Sequence, residues 1–304
     1  MYKKRELLFQ IASIAALFFV GFSIFFFDSL SYFGGASFVK DFVSFKSAPM
    51  FVIWIQANAL FFVVAPVMAI RALLSMRELS ATFKGEYPFW LCLMTAFMFL
   101  FIVVVLPAII GNKYLPIPLF SEDQRVPLLH AERKLPIFHF VGYTSASLVA
   151  GCLLYATALA GKAASFSEML RISTAMRSTL SGLGLILSIG AVTSAGLLAG
   201  LDQWNASIGV KVKSESLKDF VVPYGVIHSI AIALFYFPCY HYLRRCTDKL
   251  LNPHGYAPSP EKWESDQKQF RALQIESGFF ETLKVAAPLI AALVTQISSM
   301  ANFA

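Results

Sequence analysis

The sequence predicts an all-α fold, a polytopic helical membrane protein with about six transmembrane helices and a C-terminal apolar helix. Of its 304 residues, 57% are apolar and only 14% are charged, whereas a soluble domain carries about 25% charged residues. The mean hydropathy is +0.65. Apolar runs of about twenty residues recur along the chain, and at about 1.5 Å per residue each run is long enough to cross a hydrocarbon core of roughly 30 Å.

These runs place a transmembrane domain at residues 1–242. The predicted spans cover residues 7–27, 50–70, 88–110, 137–160, 179–201 and 221–242. Between them, residues 71–86 are predicted to form a basic connector and residues 162–178 an amphipathic one.

Residues 243–304 are predicted to form a cytoplasmic polar segment followed by an apolar C-terminal helix. The apolar part, residues 284–304, is short for a span and contains Pro288. A packed or re-entrant helix and a seventh membrane crossing are therefore both left open.

The charge distribution predicts the orientation. Residues 1–6 form a basic start, and the apolar run of 7–27 is not followed by a small-residue cleavage site, so it is predicted to be a retained span. Placing the N-terminus in the cytoplasm puts most of the lysine and arginine residues on the inner side. We therefore expect a multi-pass protein of the cell inner membrane with a cytoplasmic N-terminus.

Catalytic, metal and cofactor sites are not expected. The sequence contains no HExxH, GxSxG, Walker or CxxC pattern, and its four cysteines are dispersed. His228 and His241 first suggest haem ligands, but they are thirteen residues apart. This offset turns them about 220° apart on a helix. The sequence therefore predicts a protein that is not an enzyme and holds no cofactor.

His228 is the titratable residue that the spans place near the middle of the bilayer, where such residues are candidates for function. Gln56 and Asn58 are polar residues in the span of 50–70. We predict these three residues as a polar midplane group that takes part in gating. The same group is the predicted solute site of the alternative function, a secondary transporter. A purely structural hydrogen bond between helices is the third interpretation.

The span at residues 179–201 is built from small residues and lacks aromatic side chains. Ser181, Ser188 and Ser194 are predicted to line a pore, and Gly196 and Gly200 form a GxxxG pattern that lets helices approach closely. Tight packing within one protomer is the competing interpretation. One protomer has too few polar span residues to enclose a pore, so a channel would require a homo-oligomer.

Basic residues predicted on the cytoplasmic side could bind an anionic ligand, such as a nucleotide or single-stranded nucleic acid. The predicted ligand-binding residues are Arg171, Arg177, Arg244, Arg245 and Lys249. Contact with lipid headgroups explains most such clusters of basic residues. Both interpretations are kept, and the lipid bilayer is a predicted partner of the spans.

Two stretches, PYGVIHSIAIALFYFP and LKVAAPLIAALVTQISS, resemble the C-terminal third of bacterial polytopic membrane effectors of anti-phage defence. The family they resemble is that of the Hailong-type ion-channel proteins. The resemblance implies a homo-oligomeric ion channel gated by a nucleotidyl ligand, which a partner nucleotidyltransferase would make. It assigns no role to an individual residue.

Overall fold

The computed structural model describes residues 50–83, 89–102, 131–207, 215–251 and 278–301, together with Ser265 and Lys268. All regular secondary structure within these residues is helical. The helices are α1 (Met50–Phe83), α2 (Phe89–Leu100), α3 (Ala131–Ala160), α4 (Phe166–Ser207), α5 (Glu215–Leu251) and α6 (Gly278–Ala301). The predicted all-α class is confirmed for the described residues.

Four of these helices are long and apolar enough to cross a membrane. The qualifying segments are Gln56–Phe83, Phe140–Ala160, Phe166–Gly200 and Gly225–Leu251. The apolar segments in α2 and α6, Phe89–Leu100 and Leu283–Val294, are shorter. The predicted span of 7–27 lies outside the described residues, as do residues 88 and 103–110 of the predicted span 88–110. The structure therefore supports a helical membrane protein but does not establish six spans.

The predicted connector at 71–86 is helical as far as Phe83, because α1 continues through it. Ala72, Met76 and Leu79 recur at helical spacing and are buried in the bundle, whereas Arg71 and Glu78 face outward. One apolar face is enough to keep the helix attached to its neighbours beyond the predicted span of 50–70. The charged residues that suggested a connector occupy the opposite face.

The second predicted connector, 162–178, is mostly the first part of α4. A reciprocal capping box starts this helix. The amide of Glu168 donates to Ser165 Oγ at 3.3 Å, and Glu168 Oε2 accepts from the amides of Ser165 at 3.3 Å and Ala164 at 2.8 Å. Buried Met169 and Ile172 then hold the first turns against the core. The helix runs without a break for 42 residues.

The centre of the bundle is α4, which packs against α1, α3, α5 and α6. Glycines make two of these contacts close. A Cβ atom on Gly196 would lie 3.4 Å from Trp54 Cα in α1, and one on Gly184 would lie 2.9 Å from the carbonyl oxygen of Lys284 in α6. Small residues allow this approach of helix backbones, as expected where lipid offers little hydrophobic drive for association.

The C-terminal helix α6 packs against both α4 and α5. The sequence grouped this helix with the cytoplasmic segment after residue 242. In the structure, its contacts with Gly184 and Gly225 lie within the membrane-length segments of α4 and α5. The end of the chain thus belongs to the same helical bundle as the predicted spans.

Candidate functional site

A single narrow face of the central helix α4 is not covered by other helices in the described part of the chain. Thr174 and Ser181 are exposed on it, and Ser188 is half-buried. The three residues follow one another at intervals of seven, so each is turned only about 20° from the last and lies about 10.5 Å further along the axis. We call Thr174, Ser181 and Ser188 the hydroxyl face.

Each hydroxyl on this face donates to a carbonyl of its own helix. Thr174 Oγ1 bonds to the carbonyl of Leu170 at 2.8 Å, Ser181 Oγ to that of Arg177 at 2.9 Å, and Ser188 Oγ to that of Gly184 at 2.6 Å. A hydroxyl that donates its hydrogen in this way keeps its oxygen lone pairs as acceptors. The hydroxyl face can therefore accept hydrogen bonds from water without breaking the helix.

Ser194 does not belong to this face, although it was predicted to line a pore with Ser181 and Ser188. It lies six residues after Ser188, which turns it about 120° around the axis. Its hydroxyl is half-buried and donates to the carbonyl of Gly190 at 3.0 Å. Thr174 was not among the predicted pore-lining residues, because residues 162–178 were predicted to be a connector. Its spacing of seven residues from Ser181 is the feature of the sequence that places it on the same face.

Gly196 and Gly200 are both buried in the bundle. The contact of Gly196 with Trp54 joins α4 to α1 of the same chain. Gly196 therefore packs within one protomer, as the competing interpretation of the small-residue span predicted. The small residues of α4 have two roles. Its glycines allow close packing on the buried side, and its serine and threonine residues place hydroxyls on the exposed side.

The predicted midplane group is spread over separate parts of the bundle. His228 is buried in α5, and Asn58 is buried in α1, but Gln56 is exposed. The side-chain amide of Asn58 donates to the carbonyl of Trp54 in its own helix at 2.8 Å. Their helices, α1 and α5, are not among the closely packed pairs in the described residues. The described contacts do not join Gln56 or Asn58 to His228.

The predicted ligand-binding residues lie at one end of the bundle. The contacts of Gly182 with Met68 and of Gly196 with Trp54 show that α1 and α4 are antiparallel, so the end of α1 lies beside the start of α4. Tyr242 of α5 approaches Gly161, between α3 and α4, so the end of α5 lies there too. We call this the basic end.

Basic residues outnumber acidic ones at this end. The basic residues described there are Arg71, Arg77, Lys162, Arg171, Arg177, Arg244, Arg245 and Lys249, and the acidic residues are Glu78, Glu168 and Asp248. Glu168 is already engaged in the capping box. The basic end can therefore attract an anion.

The basic side chains surround the bundle end rather than converge on one point. Arg244 and Arg245 are exposed, whereas Leu243 and Thr247 of the same helix are buried. Arg177 differs, because it is half-buried and its Nη2 donates to Ser173 Oγ at 3.5 Å. Such an arrangement suits an extended anion or a layer of headgroups better than a small, enclosed ligand.

Comparison of the chain with protein-family models, with curated proteins and with solved structures finds no match. The functional assignment therefore depends on the hydroxyl face and the basic end.

Proposed function

We propose that this chain forms a homo-oligomeric ion channel in the cell inner membrane, opened by an anionic ligand at its basic end. The ligand class is a nucleotide or single-stranded oligonucleotide, and the basic end is cytoplasmic. A role as a toxic effector in anti-phage defence, with a nucleotidyltransferase supplying the ligand, depends on the sequence resemblance alone.

The observation that carries this proposal is the hydroxyl face. Ser181 and Ser188 are polar, lie on the outside of the bundle and fall within the membrane-length segment of α4. Lipid tails offer hydroxyl oxygens no hydrogen-bond donor, whereas a water-filled channel does. A face on the outside of one protomer can line a pore only if several protomers bring their copies of it around a common axis. Oligomerisation thus follows from the placement of the face.

The dimensions fit a partial membrane path. From Ser181 to Ser188 the hydroxyl face extends about 10.5 Å, which is about one third of the hydrocarbon core, and Thr174 lies beyond Ser181 beside Arg171 and Arg177 of the basic end. On the same side of the helix, Leu185 is exposed and Val192 is half-buried. Apolar residues between hydroxyls are suited to closing a pore by excluding water.

The basic end supports the ligand part of the proposal. The basic residues attract the phosphates of lipid headgroups and those of an oligonucleotide alike, so the two ligands compete for the same side chains. Binding of an oligonucleotide would displace counterions and would weaken steeply as salt concentration rises.

The test is potassium efflux from liposomes that contain the purified protein, with ATP or short single-stranded DNA added on the side of the basic end. We expect efflux that requires one of these probes, and a detergent-solubilised oligomer rather than a monomer. A folded monomer, or a folded oligomer that stays impermeable with every probe, would contradict the proposal. Measuring the binding of single-stranded DNA to the protein in neutral detergent separates oligonucleotide binding from competition by anionic lipid.

The alternative function is a secondary transporter with a solute site around His228. The burial of His228 in α5, with 3% of its surface exposed, favours this alternative, because a buried titratable residue in a span is a candidate for coupling. The described contacts do not join Gln56 or Asn58 to His228, whereas a solute site around His228 would need the three residues to converge. It predicts saturable uptake that is lost in His228→Ala while the protein stays folded.

A further inference from the structure

The helix α6 approaches α4 closely at Gly184. A Cβ atom there would lie 2.9 Å from the carbonyl oxygen of Lys284, a distance that real Cβ atoms do not show. The obstacle is backbone rather than a flexible side chain, so any larger residue at position 184 requires α6 to move. By contrast, a Cβ atom on Gly190 would meet only Phe61 at an ordinary 3.8 Å.

The approach of α6 to α5 is equally close. A Cβ atom on Gly225 would lie 2.7 Å from Ala292 Cβ and 2.9 Å from the carbonyl oxygen of Pro288. One turn further along α5, Ser229 Oγ accepts a hydrogen bond from the amide of Leu289 at 3.2 Å. The helix α6 is thus held from two sides, by α4 and α5.

All these contacts involve the turns on either side of Pro288. Proline has no amide hydrogen, so position 288 cannot donate to the carbonyl of Lys284, and the ring disturbs the helix at this point. The carbonyl of Lys284 lies against Gly184, and the amide of Leu289 donates to Ser229. The part of α6 that contacts α4 and α5 is therefore the part where Pro288 removes a backbone hydrogen bond.

These contacts connect the two parts of the candidate site. Gly184 lies between Ser181 and Ser188 in sequence, about 60° around the axis from Ser181. Its own carbonyl accepts the hydroxyl of Ser188 at 2.6 Å. At the other end, α5 carries Arg244, Arg245 and Lys249, and residues 252–277 lead directly from α5 into α6. A displacement of α6 therefore acts on the turn of α4 that carries two members of the hydroxyl face.

We infer that α6 is the positioning element that couples the basic end to the hydroxyl face, and that Gly184 and Ser229 are its positioning residues. This inference rests on the proposed channel function. In it, an anion bound at the basic end shifts the end of α5, α6 moves relative to Gly184 and Gly225, and α4 turns its hydroxyl face toward or away from the pore axis.

The first experiment compares two substitutions in the same helix. Gly184→Ala should change the DNA concentration that gives half-maximal potassium efflux by about five- to tenfold, a usual size for coupling between sites. Gly190→Ala, which meets no backbone, should leave it unchanged. Ser229→Ala should shift it in the same direction as Gly184→Ala, and Thr95→Ala, whose hydroxyl bonds within α2, serves as its control. Equal responses of Gly184→Ala and Gly190→Ala would overturn the inference.

The second experiment fixes α6 to α5. In a protein lacking the natural cysteines, Ser229→Cys with Leu289→Cys should form a disulfide that mass spectrometry detects, because the Ser229 hydroxyl already contacts Leu289. Oxidation should reduce DNA-dependent efflux at least about tenfold, since a fixed α6 cannot transmit the shift, and a reductant should restore the efflux measured before oxidation. Oxidation of the two single-cysteine proteins, Ser229→Cys and Leu289→Cys, is the control and should leave efflux unchanged.

The outcomes of the second experiment separate the two proposals. A disulfide that does not form contradicts the position of α6, and one that forms without affecting efflux contradicts the coupling. Liposomes that stay impermeable even in the reduced and natural-cysteine proteins contradict the channel function itself. Disulfide formation would still report on the position of α6 in that case.

Discussion

Neither α2 nor residues 179–200 of α4 carry a charged side chain, yet the two helices occupy opposite environments. In α2 the large residues Trp90, Leu91, Met94 and Met98 all face outward, and α3 is its main partner. In α4, small residues bring neighbouring helices close, and the exposed residues of its uncharged part, Ser181 and Leu185, lie on one side. Overall apolarity does not distinguish a lipid-facing helix from a central one, whereas residue size and the position of hydroxyls do.

The largest effect is expected where α4 depends on small size. Gly196→Leu would force a side chain into the backbone of Trp54, which lies 3.4 Å from the position of a Cβ atom. Overpacking of this kind costs about 1–3 kcal/mol, and more where backbone must move. We expect a lower thermal transition of the protein in detergent and loss of the folded fraction.

The control for this substitution is Thr95→Leu in α2. Thr95 is exposed and bonds only to the carbonyl of Leu91 in the described structure. Its replacement should leave the thermal transition nearly unchanged. Equal destabilisation by the two substitutions would mean that α2 is as tightly enclosed as α4.

The second prediction tests the uncovered side of α4. The double substitution Ser181→Leu with Ser188→Leu removes two hydroxyls from positions that are exposed or half-buried, so the fold should persist. Potassium efflux should fall about tenfold or more, because an apolar constriction of a pore excludes water. Thr95→Leu should leave efflux unaltered. Undiminished efflux in the double variant would place the ion path elsewhere.

The sequence sufficed to predict the helical class and the location of the helices. Residues 50–70, 137–160, 179–201 and 221–242 all lie within described helices. Composition and run length carry that information because lipid requires every backbone group to be bonded within the segment.

The sequence alone did not reveal where helices continue beyond the apolar runs or which faces meet. The end of α1 stays helical because Ala72 and Met76 are buried against other helices, and this burial depends on tertiary packing. Ser194 and Ser188 are on different sides of α4. Which of these sides is covered by other helices is known only from the structure. The capping box of Ser165 and Glu168 was visible in the sequence and would have placed the start of α4.

The third prediction concerns that start. Ser165→Ala removes the acceptor for the amide of Glu168 and should destabilise the protein by about 1 kcal/mol, the usual cost of losing an N-cap. Ser167→Ala removes a nearby exposed hydroxyl that accepts no amide in the described contacts and should cost much less. Differential scanning fluorimetry of the pair measures the difference. A Ser167→Ala protein that is the less stable of the two would contradict the assigned cap.

The smallest effect is predicted for the lipid-facing side of α2. Met98 is 52% exposed, whereas Met176 of α4 is 2% exposed and its sulfur lies 3.9 Å from Thr157 Oγ1. Met→Leu conserves volume, so at the buried position it should cost up to about 1.5 kcal/mol, through lost fit. At Met98 the same exchange should cost less than about 0.5 kcal/mol, because lipid tails adapt to either side chain and are as apolar as leucine. If Met98→Leu also lowers the thermal transition of the detergent-solubilised oligomer but not that of the dissociated protomer, α2 rather than α4 contributes to the contact between protomers. The roles of the two helices would then be reversed. The large residues of α2 would form the contact between protomers, and the hydroxyl face of α4 would face lipid.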